Sequence, residues 1–98
     1  MMMSGVSKCM NEIHYHPKIV DDLSHIASPI KKDIRKAIEE KLTTAPEFFG
    51  KPLQFSLRGL RSMRIGDYRV IFQLSEKVVY VVLIAHRSVA YKTVEKRM

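Results

Sequence analysis

Residues 60–91 read LRSMRIGDYRVIFQLSEKVVYVVLIAHRSVAY, and the expected architecture of the whole chain depends on them. Two turn signals, at residues 66–67 and 75–77, divide this segment into runs that are rich in β-branched and aromatic residues. The runs cover residues 60–65, 68–74 and 78–86. Because both turns are short, consecutive runs should pair as hairpins. The segment therefore predicts an antiparallel meander of three strands.

The two faces of the middle strand differ in polarity. Period-2 alternation places Tyr68, Val70, Phe72 and Leu74 on one face, and Arg69, Ile71, Gln73 and Ser75 on the other. The first face should be core, whereas the second is partly polar. The third strand is almost entirely apolar until His86, which is typical of a strand covered on both sides. We therefore expect the third strand in the interior of the sheet.

Arginines are concentrated in or beside this meander, at Arg58, Arg61, Arg64, Arg69 and Arg87. The two acids of the segment, Asp67 and Glu76, both fall at turns, so no carboxylate on the strands neutralises these arginines. A guanidinium suits phosphate because its planar fork binds two oxygens at once. The uncovered face thus predicts a phosphate-binding surface, with candidate RNA-binding residues Lys51, Arg58, Arg61 and Arg64.

The positive charge of the chain is confined to its second half. The 98 residues, with a net charge of +7, are enough for one domain with one core. Residues 1–50 contain seven Lys/Arg and seven Asp/Glu, whereas residues 51–98 contain ten and three. A solvated basic surface is one interpretation of this excess. Its segregation onto the sheet-forming half favours a polyanionic partner, and nucleic acid in particular.

The chain has a single cysteine, Cys9, which cannot form an internal disulfide, and no Cys/His motif for zinc. This cysteine usage fits a reducing cytoplasm, and no cofactor or metal is expected. Residues 1–10 lack the apolar core of a signal peptide, and no apolar run reaches the ~20 residues of a membrane span. We expect residues 1–10 to be a flexible extension and residues 11–98 to form the domain.

The N-terminal half is expected to supply a layer of helices. Residues 12–16 alternate in the manner of a strand before Pro17 and predict an edge strand. Apolar residues at helical spacing follow, and Ser28 offers an N-cap for a second helix, so the two helices should form a hairpin with apolar stripes toward the sheet. Residues 88–98 leave room for a short, polar, easily frayed helix. The predicted fold class is α+β.

The order of these elements, together with two motifs, resembles the RelE/ParE superfamily of toxins from bacterial type II toxin–antitoxin pairs. The motifs are LRGLRSMRIGDYRVIF at residues 57–72 and HRSVAY at residues 86–91. The resemblance implies an N-terminal strand and a two-helix hairpin packed on a curved antiparallel sheet, and an acidic antitoxin as partner. It also implies one of two activities, which are cleavage of mRNA in the ribosomal A site without metal and inhibition of DNA gyrase.

Site residues are implied by the same resemblance. Arg69 and Arg87 match positions that hold the scissile phosphate and stabilise its charge, and Tyr91 matches a tyrosine that stacks on the base or takes part in proton transfer. A tyrosine that acts as a base needs nearby cations, because its unperturbed pKa is about 10. His86 is the other candidate acid or base. Alternation, however, directs His86 and Arg87 to opposite faces, which makes a structural role for His86 an equal alternative.

Two positions depart from the pattern of the RelE branch. Ser62 and Leu60 occupy sites that carry lysine or arginine in potent members, and alternation places Arg61 on the face opposite Arg64. The identity of the general base is therefore left open. The leading hypothesis is a toxin that acts as an mRNA endoribonuclease. The alternatives are a gyrase inhibitor and a weakened toxin that acts mainly as an antitoxin-bound co-repressor.

Overall fold

The computed structural model describes residues 11–45, 51–53 and 59–97. The elements in chain order are β1 (Glu12–Tyr15), α1 (Ile19–Ser24), α2 (Ser28–Ala37), β2 (Lys51–Pro52), β3 (Leu60–Ile65), β4 (Tyr68–Ser75), β5 (Val78–His86) and α3 (Ala90–Arg97). A π-helical turn, Ile38–Leu42, continues α2. The predicted meander is confirmed as β3, β4 and β5, with one residue more in β4. Within these described ranges, no helix has the length and apolar character to cross a membrane.

The strands form one sheet in the order β1-β5-β4-β3-β2. The meander strands pair antiparallel, and β5 has a neighbour on each side, as predicted. β1 instead pairs parallel to β5, from Glu12 opposite Val78 to Tyr15 opposite Val81. The α+β class is thus confirmed, and β1 adds a parallel edge strand to the expected antiparallel sheet. Strand direction depends on where the helical crossover returns the chain, which alternation within five residues does not encode.

Helices α1 and α2 cover one face of the sheet, as expected. The fully buried side chains of this first core include Ile34, Ile38, Leu42, Val70, Phe72, Val79 and Val81. Two details differ from the predictions. Helix α2 begins at Ser28, with the extended residue Ala27 at the N-cap, so Ser28 is not the cap. Val20 is among the apolar residues at helical spacing that were expected to face the sheet, but it is 78% exposed and does not.

A second apolar core lies on the opposite face and consists of Leu60, Ile71, Val82, Leu83, Ala90 and Val94. A β-bulge shapes it, since Phe72 pairs with Val81 and Ile71 pairs with Leu83, which leaves Val82 as an extra residue in β5. Helix α3 covers this core, and Ala90 and Val94 are both 0% exposed. The short C-terminal helix is thus confirmed, and the burial of these two side chains gives it a contact with the sheet that the expectation of an easily frayed helix did not include.

Candidate functional site

Arg64 and Arg69 stand directly opposite each other on β3 and β4. Directly paired residues share a face of the sheet, and this face is the one that carries Ile71 and the second core. The Nε of Arg64, an exposed side chain, donates a hydrogen bond to the carbonyl oxygen of Gly66 over 3.2 Å. Like charges opposite each other are destabilising. The pair therefore raises the local positive potential. A bound anion would offset the repulsion between the two arginines.

Arg69 also meets Tyr91, which lies in the first turn of α3. The Cζ of Arg69 is 5.6 Å from the centroid of the Tyr91 ring, within the range of a cation–π contact. The Nε of Arg69 is buried and has no hydrogen-bond partner among the described residues, although a buried polar group normally has one. Tyr91 is 38% exposed, so its ring is open to a ligand rather than part of the core.

Arg87 lies at the same end of the sheet, just beyond β5. Its backbone N–H donates to the carbonyl oxygen of Asp67 over 2.8 Å. Its side-chain Nε lies 3.8 Å from Asp67 Oδ1, with both side chains more than half exposed. An exposed pair of this kind contributes about 0–1 kcal/mol. Asp67 thus pairs with Arg87 and not with Arg69, and a phosphate can compete with it for the Arg87 guanidinium.

His86 lies on the other face of the sheet, away from Arg69. Its ring packs edge-on to the ring of Tyr68, with the centroids 5.6 Å apart, and Tyr68 packs against the first core. The backbone N–H of Ser88 donates to His86 Nδ1 over 3.1 Å. The structure therefore does not bring His86 to the arginine pair, and the structural alternative describes its position.

The remaining candidate residues lie either on the other face of the sheet or outside the described residues. Arg61 pairs with Phe72 and so lies on the face of the first core, opposite Arg64, as alternation predicted. Arg58 and the Lys51 side chain lie outside the described residues, as do residues 1–10. In the part of the chain that the structure describes, no group of three or more His, Cys, Asp or Glu side chains could hold a metal ion.

Ser62 is a further polar residue on the arginine face. It is 4% exposed, and its Oγ has no hydrogen-bond partner within the described ranges. Alternation places it on the same face as Arg64. Sequence reasoning treated Ser62 as a missing cation. Ser62 could have been identified from the sequence, because alternation directs its hydroxyl toward the face of the candidate site.

A buried ion pair joins Asp22 of α1 to Arg97 of α3. Arg97 Nη1 donates to Asp22 Oδ2 over 2.8 Å and Nη2 donates to Oδ1 over 3.0 Å. Both side chains are 9% exposed. The hydrogen bond to Asp22 raises the pKa of Arg97 against the opposing effect of burial, so the guanidinium stays charged. No sequence signal links two residues 75 positions apart.

A cavity of about 720 Å³ opens on the helix-covered side of the sheet. Its floor is apolar and includes Ile19, Ile34 and Ile84. Its rim includes Val20, Tyr15, Lys31, Lys32, Arg35 and Glu39. This cavity is separate from the arginine pair, since the sheet lies between them.

Comparisons with known proteins agree with one another. A family model described as the ParE toxin of type II toxin–antitoxin systems matches residues 13–91. Toxin RelE of Mycobacterium tuberculosis is 34% identical over 73 residues, which are 72% of this chain and 75% of that protein.

Two solved structures are similar in fold. The toxin–antitoxin complex RelBE2 from Mycobacterium tuberculosis contains a chain that matches with a TM-score of 0.76 and 24% identity, over 80% of this chain and 99% of that one. A mutant of the Escherichia coli toxin RelE in the free state matches with a TM-score of 0.70 and 16% identity, over 91% and 98%. The chain therefore belongs to the RelE/ParE superfamily and is a toxin of a type II toxin–antitoxin system.

Proposed function

We propose that this toxin is an endoribonuclease that cleaves mRNA in the ribosomal A site with its own side chains. The observation that carries the proposal is the meeting of Arg64, Arg69 and Tyr91 on one face, where a buried Arg69 donor lacks a partner among the described residues. A phosphate oxygen is an acceptor that would satisfy this donor and reduce the repulsion between the arginines.

The chemistry is in-line attack of the ribose 2′-OH on the adjacent phosphorus, with departure of the 5′-oxygen. Arg69 and Arg87 hold the scissile phosphate and neutralise the charge that builds on its oxygens in the transition state. Tyr91 takes part in proton transfer, because its hydroxyl-bearing ring lies against Arg69. Arg64 contacts the RNA backbone. The position of His86 on the other face favours Tyr91 over His86 for the proton transfer.

The partner that neutralises the toxin is an acidic antitoxin. The net charge of +7 favours such a partner, and a similar fold was solved as the toxin–antitoxin complex RelBE2. The apolar cavity on the helix side offers a second contact area, since its basic rim is suited to an acidic segment. The single cysteine of this chain fits a cytoplasmic setting.

A gyrase inhibitor is the second candidate. The matching family model is that of ParE toxins, and Ser62 and Leu60 stand where potent RelE members have cations. An inhibitor that acts by contact needs no convergent phosphate site. A weakened toxin that serves mainly as an antitoxin-bound co-repressor is the third candidate.

The test is in vitro translation with the purified protein, read by primer extension for mRNA breaks, alongside a gyrase supercoiling assay. We expect breaks inside translated codons and normal supercoiling. The double variant Arg69→Ala/Arg87→Ala should abolish the breaks, whereas Arg35→Ala, on an exposed face of α2, should retain them. Intact transcripts together with inhibited supercoiling would replace the nuclease proposal with the gyrase one.

A further inference from the structure

The Asp22–Arg97 ion pair occupies the edge of β5. β1 ends at Tyr15, opposite Val81, and so borders the first half of β5. Beyond that point the Ile84 N–H donates to Asp22 Oδ2 over 3.1 Å, and Arg97 Nη1 donates to the Val82 carbonyl oxygen over 2.9 Å. The two side chains thus satisfy backbone groups that a neighbouring strand would otherwise satisfy.

The pair also links the two layers that cover the sheet. Asp22 belongs to α1, which packs on the first core through Ile19. Arg97 belongs to the last turn of α3, which packs on the second core. A bidentate contact fixes both the distance and the orientation of its partners. The position of α3 is therefore set from the opposite side of the sheet.

Helix α3 depends on such anchoring because it is only eight residues long, and isolated helices shorter than about 12 residues are marginal in water. Its anchors recur at i, i+4 and i+7 as Ala90, Val94 and Arg97, which places them on one face. Ala90 and Val94 are small, so burial of these two side chains alone stabilises the packing of α3 on the sheet only weakly. Arg97 provides a directional contact at the other end.

Tyr91 depends on α3 for its position. Tyr91 is 38% exposed, and its ring centroid lies 5.6 Å from Arg69 Cζ. A cation–π contact at a partly exposed site contributes only about 0.5–1 kcal/mol. That contribution is too small to hold the ring if the helix moves, so the helix must be held elsewhere.

We infer that Asp22 and Arg97 are positioning residues, whose ion pair seats α3 on the sheet and thereby holds the Tyr91 ring against Arg69. The catalytic part of this inference rests on the proposed function. Neither residue touches the RNA in this arrangement. Both act through the helix.

The experiment places 3-fluorotyrosine at residue 91 alone and compares the ¹⁹F NMR signal and cleavage kinetics of three variants. Arg97→Met removes the ion pair. Arg97→Lys keeps the charge but loses the bidentate geometry, and it decides the test if Arg97→Met does not fold. Lys96→Met is the matched control, because it removes an exposed positive charge from the same last turn of α3.

We expect both Arg97 variants to shift and broaden the ¹⁹F signal far below their melting temperatures. In ribosome-programmed cleavage, kcat should fall by about 10-fold to 100-fold at unchanged KM, because displacement of a catalytic group by an ångström costs about this much. Lys96→Met should match the wild type in both readouts. A merely stabilising role would lower the melting temperature without moving the signal.

Two results would overturn the inference. One is a ¹⁹F signal that stays at its wild-type position in the folded Arg97 variants, and the other is a moved signal with unchanged kcat. Failure of the proposed function is distinguishable, because the wild type itself would then give no cleavage. The ¹⁹F comparison alone would still decide whether the ion pair places Tyr91.

Discussion

Arg69 combines several features that a protein tolerates for function rather than for stability. It faces Arg64 directly across the strand pair, and its buried Nε lacks a partner among the described residues. An unsatisfied buried donor costs about 1–3 kcal/mol. Sites of this kind are where stability and activity oppose each other.

Arg69→Met should therefore make the free protein more stable while it abolishes RNA cleavage. The free energy of unfolding should rise by about 1 kcal/mol, since relief of the unpaired donor and of the repulsion outweighs the lost cation–π contact. Urea denaturation measures the change. Arg35→Met serves as the control for loss of a positive charge. A clear drop in stability for Arg69→Met would contradict the assignment of an unpaired Nε and of repulsion from Arg64.

Tyr91 can be tested by separating its ring from its hydroxyl. Tyr91→Phe keeps a ring over Arg69, so folding stability should stay close to that of the wild type. Cleavage should fall by about 10²-fold or more, because proton transfer by a positioned group contributes about 10²–10⁴-fold. Retained activity in Tyr91→Phe with loss in Tyr91→Ala would assign Tyr91 to base stacking instead.

The sequence alone was informative for some of these residues. Alternation placed Arg61 on the face opposite Arg64 and directed His86 and Arg87 to opposite faces, because side-chain direction along a strand follows from local backbone geometry. The family resemblance supplied Tyr91. The burial of Ser62 and the contact between Arg87 and Asp67 were not predicted, since both depend on how separate strands and turns pack.

β1 and α2 meet at Tyr15, on the rim of the apolar cavity. Burial is the larger cause that raises the pKa of the Tyr15 phenol above its usual 10.0, and the negative charge of Glu39 adds to it, whereas Arg35 opposes it. The folded state therefore favours the neutral phenol. The contribution of this group to stability is complete below pH 10 and is lost as the pH rises above the raised pKa.

Stability should accordingly decline at alkaline pH in a way that depends on this contact. Tyr15→Phe should remove part of the decline above pH 10, because it has no phenol to ionise. Glu39→Gln should reduce the decline by a smaller amount, since burial remains. Denaturation midpoints from pH 8 to pH 11 measure both effects, and an unchanged alkaline decline in Tyr15→Phe would show that other groups cause it.

The helices and strands differ in how well the sequence predicts them. The meander was predicted nearly to the residue, because turn residues and alternation are local signals. The parallel direction of β1 was missed, since it depends on the path of the chain through two helices. The packing of α3 on the sheet was also not predicted, because it depends on the second core and on the contact of Arg97 with Asp22, 75 residues away.

The whole molecule presents two different surfaces on opposite sides of one sheet. The arginine pair lies on one side, and the apolar cavity with its basic rim lies on the other. An antitoxin that contacts the second side need not compete with RNA for the arginines. If the antitoxin binds at the cavity, as proposed, we expect antitoxin binding and RNA cleavage to be separable by mutation.

Val20→Glu should weaken the complex with the cognate antitoxin while it leaves cleavage intact. Val20 is 78% exposed, and loss of its burial in the complex, at about 1.5–3 kcal/mol, corresponds to about a 10-fold to 100-fold rise in Kd. Calorimetric titration measures the change. Val20→Leu keeps the apolar contact and should bind normally, and equal affinity of Val20→Glu would locate the antitoxin elsewhere.

The edge of β5 has a consequence for self-association of the toxin at high concentration. A bare strand edge is a template onto which a strand from another molecule can add, and this is a common route to aggregates and swapped dimers. Here two charged side chains, Asp22 and Arg97, close that edge where β1 stops. A toxin without these two side chains would expose unpaired backbone groups of β5, so we expect loss of the ion pair to make the free toxin more prone to self-association.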